Sequence, residues 1–336
     1  MIATQARNQP GIRRVLFVVP GGLGRVTGGN VYDAAVADAM RGRGWTVEVR
    51  DNPNASGRWD VAVVDSLAFR QGRPQTSVPY VPLAHQLPSA AAGYPEPTVQ
   101  ERDVLRFASL VVTASDWLRD HFRPYVGAEI VAVHPGRDRA WAADGPAPDA
   151  DAILCIANAQ PGKGVPETID AFSRANLDEV RLLLVGDMAA HPEESVRVRD
   201  ALASSRGRVE TAGVVAAATL SGLYAEARAL LIASRYEGRP IAVIEAMASG
   251  VPVVGFDVPG LRELVRPGRD GLLAGDGDVD DLASSLRDLV GDRILAAAMG
   301  RAARRRALEW PTWEETGGRF ADLVAGLLEG QPNAAR

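Results

Sequence analysis

Lysine is almost missing from this chain: Lys163 is the only one in 336 residues, and every other strongly basic side chain is arginine. Arginine serves surface solubility as well as lysine does, so a position that keeps lysine is a candidate for chemistry needing a compact point charge. The plainer alternative is chance survival in an arginine-rich chain. Cysteine is equally scarce. Cys155, the single one, excludes an internal disulfide, and its place in an apolar run makes it a core residue rather than a nucleophile. The histidines number four, His85, His121, His134 and His191, and with Cys155 they form no spacing suited to a metal. No apolar run approaches the ~20 residues of a membrane-crossing helix. The first dozen residues are polar, without the apolar core of a leader. A cytoplasmic protein is therefore expected, in which the sequon Asn54-Ala-Ser56 carries no meaning; peripheral membrane contact stays open. A net charge of −5 leaves no electrostatic footprint for nucleic acid. Neither a Gly-x-Ser-x-Gly elbow nor a Walker phosphate loop occurs.

What is present is enough apolar material, 46% of residues, for full cores, and at this length two domains are expected rather than one. Apolar strand-like runs alternate with helical patterns in both halves. In the first half the strands fall at about 13–20, 46–50, 60–65, 78–84, 110–113 and 129–133, the fourth expected to be irregular because of Pro79 and Pro82. In the second they fall at 152–157, 181–185, 209–212, 229–233, 251–254 and 271–274, followed by helices at about 279–290, 293–308 and 313–328. Strand–helix alternation implies doubly wound parallel sheets. Residues 141–151, rich in Pro, Gly and Asp, have linker character. The expected division is a Rossmann-like domain over 1–140 and a second over 150–311.

Several stretches carry chemistry. Gly21-Gly-Leu-Gly-Arg-Val-Thr-Gly-Gly-Asn30 follows the first strand and opens a helix, where backbone N–H groups meet anions. It fails the dinucleotide fingerprint, since the third glycine would have to stand at Thr27, and a merely flexible loop remains the alternative. His85 comes just past the carboxyl end of a strand, where open α/β sheets bind ligands, although a lone histidine is often structural. Asp276-Gly-Asp-Val-Asp-Asp281 suggests calcium, but it lacks the loop-six glycine and has Arg287 at position twelve; helix capping explains it better. The densest stretch is Ser234-Arg-Tyr-Glu-Gly-Arg-Pro-Ile-Ala-Val-Ile-Glu-Ala-Met-Ala-Ser-Gly-Val-Pro-Val-Val254. It reads as a polar turn, a helix with Pro240 in its first turn and Gly250 past its end, then a strand. Glu237 lies in the turn. Glu245 sits among apolar helix neighbours, where a carboxylate needs hydrogen-bond donors.

Glu237 and Glu245 form a Glu-x7-Glu pattern, and E-G-x-P…E-A-M-A-x-G-x-P-V-V resembles retaining glycosyltransferase family 4. The resemblance covers nearly the whole chain, most convincingly residues 152–275. It implies a GT-B fold, two Rossmann-like domains facing across a cleft, with a last helix, 312–330, returning to pack on the first domain. It further implies transfer of a sugar from a nucleoside-diphosphate sugar, UDP- or GDP-linked, to a hydroxyl of an acceptor whose identity stays open. Gly28 and Gly29 are similar to the diglycine that faces the donor phosphates, and His85 to a histidine beside the acceptor. Lys163 would hold the diphosphate, Glu245 the ribose hydroxyls, and Glu237 with Gly238 the transferred sugar. The N–H groups of Ile241 and Ala242 would add to the phosphate site. No metal or other cofactor is then required. The chain departs from the family at Asn158, a donor-site position where an arginine is usual; Arg25, Arg235 or Arg239 are the candidate substitutes. His134-Pro-Gly-Arg-Asp138 resembles the P-N-G-x-D turn leaving the first domain, without its Asn. Retention and a front-face reaction, with donor phosphate accepting the acceptor's proton, come from the resemblance alone. Two other classes compete: an NAD-dependent oxidoreductase, with Asp51 ending the second strand, and a two-lobed sugar-binding protein.

Overall fold

The computed structural model describes residues 13–25, 27–54, 57–86, 89, 96–138, 147 and 150–330. Most of the 141–151 linker lies outside them. In the first half run β1 (Arg14–Val18), α1 (Gly28–Gly42), β2 (Thr46–Arg50), β3 (Val61–Asp65), β4 (Tyr80–Ala84), α2 (Val99–Arg106), β5 (Val111–Thr113), α3 (Asp116–Phe122) and β6 (Ile130–Ala132). The strands form one parallel sheet in the order β2-β1-β3-β4-β5-β6. Continuous apolar runs such as Val61–Val64, buried on both faces, suit a central parallel strand covered by helices. The two prolines do not break β4. Pro79 still offers its carbonyl, which accepts the Ala62 N–H at 3.0 Å, and it is only the donor that proline lacks.

The second half repeats the pattern with β7 (Ala152–Ile156), α4 (Val165–Ala175), β8 (Arg181–Val185), α5 (Pro192–Ser204), β9 (Arg208–Gly213), α6 (Ala217–Ala225), β10 (Ala227–Ile232), α7 (Ile241–Ala248), β11 (Val253–Phe256), α8 (Pro259–Arg262) and β12 (Gly271–Ala274). This sheet is also parallel, in the order β12-β11-β10-β7-β8-β9. Then come α9 (Val279–Gly291), α10 (Arg293–Ala307) and α11 (Trp313–Glu329). Each sheet has its own core. Pro240 is the N-cap of α7 rather than part of its first turn; with φ −69° and ψ 120° its carbonyl accepts the first helical N–H groups, those of Val243 and Ile244. Asp278 caps α9 by accepting from Asp280 and Asp281 N–H, which accounts for the acidic run there.

Helix α11 belongs to the first core. Phe320, Ala321 and Val324 are fully buried beside β1 and α1 residues, while Leu323, Leu327 and Leu328 lie at the edge of that core. Gly317 sets this face: a Cβ there would lie 2.8 Å from the Ala35 carbonyl of α1, so the two helices meet along the stripe containing Gly317, Phe320, Ala321 and Val324. The crossing back is stitched to Arg137, whose N–H donates to the Pro311 carbonyl at 2.8 Å and whose guanidinium reaches the Trp310 and Leu308 carbonyls.

Candidate active site

In an open parallel sheet the ligand crevice lies outside the carboxyl ends of the strands where their order reverses. In the second sheet that point is β7 beside β10. The turn after β7 carries Asn158 and Lys163; the turn after β10 carries Glu237 and leads into α7. Two loops far apart in sequence thus meet. Lys163 Nζ lies 2.9 Å from Glu237 Oε1, with the lysine side chain 28% exposed and the glutamate 7%. The Ser234 hydroxyl donates to the Lys163 carbonyl at 3.3 Å, tying the turns together. In the first sheet the reversal lies between β1 and β3, which puts the glycine loop, Asp65 and His85 on the facing wall.

The walls touch. A Cβ on Gly28, the first residue of α1, would sit 3.5 Å from Ile241 Cδ1 at the start of α7. Two helix N-termini, each with N–H groups that no helical carbonyl can take, therefore face one another. Thr27 caps α1 by accepting from Asn30 N–H at 3.2 Å. A Cβ on Gly29 would lie 3.3 Å from His85 Cδ2. Gly238 is wedged so closely under the His85 carbonyl and Leu118 that a side chain would not fit. Ala242 is the second residue of α7, and its carbonyl accepts the Tyr224 hydroxyl at 3.0 Å.

Glu245 has the donor its burial calls for. The Tyr224 hydroxyl also reaches Glu245 Oε2 at 3.1 Å. The tyrosine has one proton, which it shares with the Ala242 carbonyl, and burial pushes the Glu245 pKa up to about 7, with the Asp138 charge adding to the rise and the tyrosine opposing it. Tyr224 was not legible as a site residue, since an apolar helix carrying one tyrosine reads as core.

His85 does not stand alone either. Its Nε2 lies 2.8 Å from Asp33 Oδ1 and 3.2 Å from Asp65 Oδ2. Asp33 did leave a signal in the sequence: it falls on the stripe of α1 that also holds Val36, Ala37 and Met40, a buried face where an acid has no packing role.

Of the three arginines that could replace a cation at Asn158, the structure turns one away. Arg239 is 4% exposed, paired with Glu263 at 3.0 Å and set over the Trp310 ring, on the side where α11 crosses. Glu263 Oε1 also accepts the Trp117 N–H of α3, so this pair latches the two halves together. Arg235 pairs with Asp276 at 3.2 Å, and Arg25 folds over Gly21. Asn158 itself accepts the Asp187 N–H at 2.8 Å, joining the turns after β7 and β8. Asp51 accepts the Gly21 N–H at 2.9 Å and so shapes the glycine loop. Among the described residues two clusters bring carboxylate and imidazole atoms within 4.8 Å, Asp33–Asp65–His85 and Asp116–His134–Glu263. In both the imidazole already rests on a carboxylate, His134 Nε2 being 3.0 Å from Asp116, so each is built as a hydrogen bond. Burial, with Arg239 repulsion behind it, pulls the His134 pKa down to about 4.

The site geometry matches a known family in sequence as well. Residues 150–292, which carry Lys163, Glu237 and Glu245, match the model of glycosyl transferases group 1. The family match covers the second half of the chain. Curated relatives match beyond the second half. The GDP-mannose-dependent alpha-(1-6)-phosphatidylinositol monomannoside mannosyltransferase of Mycolicibacterium smegmatis is 30% identical over 66% of this chain and 63% of its own length. The D-inositol 3-phosphate glycosyltransferase of Mycolicibacterium paratuberculosis is 32% identical over 73% of this chain and 60% of its own. The chain spans about three-fifths of the length of these curated relatives. Solved structures match over almost everything. Sucrose-phosphate synthase of Thermosynechococcus elongatus superposes with a TM-score of 0.78 at 18% identity, covering 95% of this chain and 100% of that one. HepE of Anabaena in complex with UDP-glucose gives 0.75 at 18% identity over 93% and 99%. The fold is GT-B. No helix among the described residues is long and apolar enough to cross a membrane.

Proposed function

We propose that this protein moves a sugar from a nucleoside-diphosphate sugar to a hydroxyl of an acceptor, with retention and without a metal. The observation that carries the reading is the Lys163–Glu237 pair at the strand-order reversal, beside the facing N-termini of α1 and α7. A diphosphate is the ligand such a place favours, because helix N–H groups and one fixed cation both attract anions. In the reaction the bond between the sugar's anomeric carbon and the donor phosphate breaks, and the acceptor oxygen takes that carbon. The acceptor's proton passes to the departing phosphate oxygen. Charge grows on that phosphate, where Lys163 and the N–H groups of Ile241 and Ala242 would stabilise it. Glu237 would orient a sugar hydroxyl while holding Lys163 in place. The first domain, with Gly28, Gly29 and His85, would present the acceptor. The relatives' names include GDP-mannose, and HepE holds UDP-glucose, which makes UDP and GDP the donors to try first.

Calorimetric titration with UDP, GDP, ADP and NAD tests this. A nucleoside diphosphate should bind and NAD should not, and turnover of the matching nucleotide sugar should survive excess EDTA. Binding of NAD alone, or of free sugar alone, would move the chain to another class; activity restored only by magnesium or manganese would remove the metal-free site.

Glu245 adds a pH signature. Ribose hydroxyls donate to a carboxylate, so nucleotide binding should draw the Glu245 pKa down from about 7 and release a proton near neutrality. Affinity should therefore rise with pH through that range. Glu245→Gln should weaken nucleotide binding by about tenfold and remove this part of the proton release, since a hydrogen bond to a charged group is worth roughly 1.5–3 kcal/mol. Equal proton release by both proteins, measured in buffers of different ionisation enthalpy, would rule the ribose role out.

A further inference from the structure

The wall facing the donor site carries a polar cluster whose chemistry the site residues read from sequence do not explain. Asp33 is 1% exposed on α1, Asp65 ends β3, and the imidazole of His85 lies between them with Nε2 on both carboxylates. The cluster is held from outside. Asp65 Oδ1 accepts the Leu67 N–H at 2.7 Å. The His85 ring is tilted against Tyr32, with centroids 4.9 Å apart, and the Tyr32 hydroxyl is anchored on the Val133 carbonyl at 2.6 Å. Two adjacent buried carboxylates repel unless a positive charge or a shared proton lies between them. The imidazolium supplies it. His85 also stands where the halves meet, its ring against Gly29 and its backbone carbonyl over Gly238 of the second half.

We propose that Asp33 and Asp65 are positioning residues that keep His85 protonated and its ring fixed, so that His85 serves the bound acceptor as a hydrogen-bond donor and does not take the acceptor's proton. This rests on the transferase reading. His85 then neither gains nor loses a proton during turnover, and the acceptor's proton leaves with the donor phosphate. The charged and titratable groups against the ring are Asp33 and Tyr32 from α1 and Asp65 from β3. Burial alone draws an imidazole's pKa down; here the Asp33 carboxylate, with Asp65 beside it, overrides burial and holds it well above the ordinary value. Asp33 in turn is raised by its own burial, with the imidazolium opposing.

The test is an NMR titration of the His85 ring in the full chain, assigned with His85→Gln, alongside the pH dependence of transfer. In the wild type the ring nitrogen shifts of His85 should stay those of an imidazolium between about pH 6 and 8.5, a span in which an ordinary histidine with a pKa near 6.5 loses its proton, with only a smaller change as Asp33 beside it titrates. Asp33→Asn should bring its midpoint down toward that ordinary value. Two units above such a midpoint about one ring in a hundred keeps its proton, so kcat of Asp33→Asn should fall on the order of 100-fold between its acid plateau and a pH two units above the midpoint. The donor KM should stay within about twofold, because the donor contacts are untouched. A merely structural Asp33 would reduce the amount of folded protein and leave the profile where it was. Asp65→Asn should move the profile the same way, and it serves if Asp33→Asn does not fold. A wild-type His85 that titrates near 6.5, or variant profiles that overlay the wild type, would overturn the proposal. A wild type that turns over no nucleotide sugar would instead overturn the transferase reading, while the ring titration still decides whether Asp33 and Asp65 hold the proton.

Discussion

Lys163→Ala should lower the initial rate of sugar transfer by ~10²–10³-fold, the usual effect of removing one donor aimed at developing charge. The upper end is expected, for two reasons. Asn158 brings no second cation, and Arg239 is spent on Glu263 at the crossing of the halves. Removing the lysine also strands Glu237, a carboxylate whose side chain is 7% exposed, next to the place where a diphosphate must bind. The variant then combines a missing attraction with an added repulsion. From its place on a turn Lys163 would contribute little to stability, but its ion pair changes that, and the stranded carboxylate should cost about 1–3 kcal/mol of folding free energy. A Lys163→Ala, Glu237→Gln double variant separates the terms: it should regain the stability and not the rate. Lys163→Arg should fall in between, because the longer planar guanidinium misplaces the charge. Initial rates with the matching donor, beside thermal melts, decide the matter. A Lys163→Ala enzyme within about threefold of wild type would leave the donor site elsewhere.

The second large effect is on the fold. Deleting the chain from Trp310 onward should destabilise the N-terminal half far more than the C-terminal half that precedes the cut. The deletion strips Phe320, Ala321 and Val324 from the first core and uncovers the face of α1 against which Gly317 packs. Burial of Phe320 and Val324 alone is worth on the order of 3–6 kcal/mol, against a typical domain stability of roughly 5–15 kcal/mol. The melting temperature of that half should drop by on the order of 10–20 °C. Tryptophan fluorescence isolates it, because Trp45, Trp59, Trp117 and Trp141 remain after the cut and no tryptophan lies within 150–309. Phe320→Ala should reproduce part of the loss if the truncated chain fails to fold. An unchanged tryptophan melt in the truncated protein would show that α11 does not support the first core.

Local patterning made much of this protein readable in advance. Runs such as Val61–Val64 and Leu182–Val185 are apolar at consecutive positions, which only a strand covered on both faces tolerates, and the alternation with helices leaves a doubly wound parallel sheet as the outcome. Lys163 and Glu237 were each conspicuous in a loop following such a strand, one as the single lysine and the other in a Glu-x7-Glu turn. Their meeting at 2.9 Å was not readable, because it depends on β10 lying beside β7 rather than in chain order. The same holds wherever a partner comes from another element. Composition made Arg239 and Arg235 equally good substitutes for a missing cation. Only the packing of α11 and α8 turned Arg239 onto Glu263 and Trp310. His85 marked its own strand end, yet whether it carries a charge is decided by Asp33 and Asp65, 52 and 20 residues away in the chain. Hydrophobic periodicity determines which face of an element is buried. The electrostatic state of a buried polar group depends on what the neighbouring elements bring within a few ångströms, and that distance exists only once the sheets have assembled.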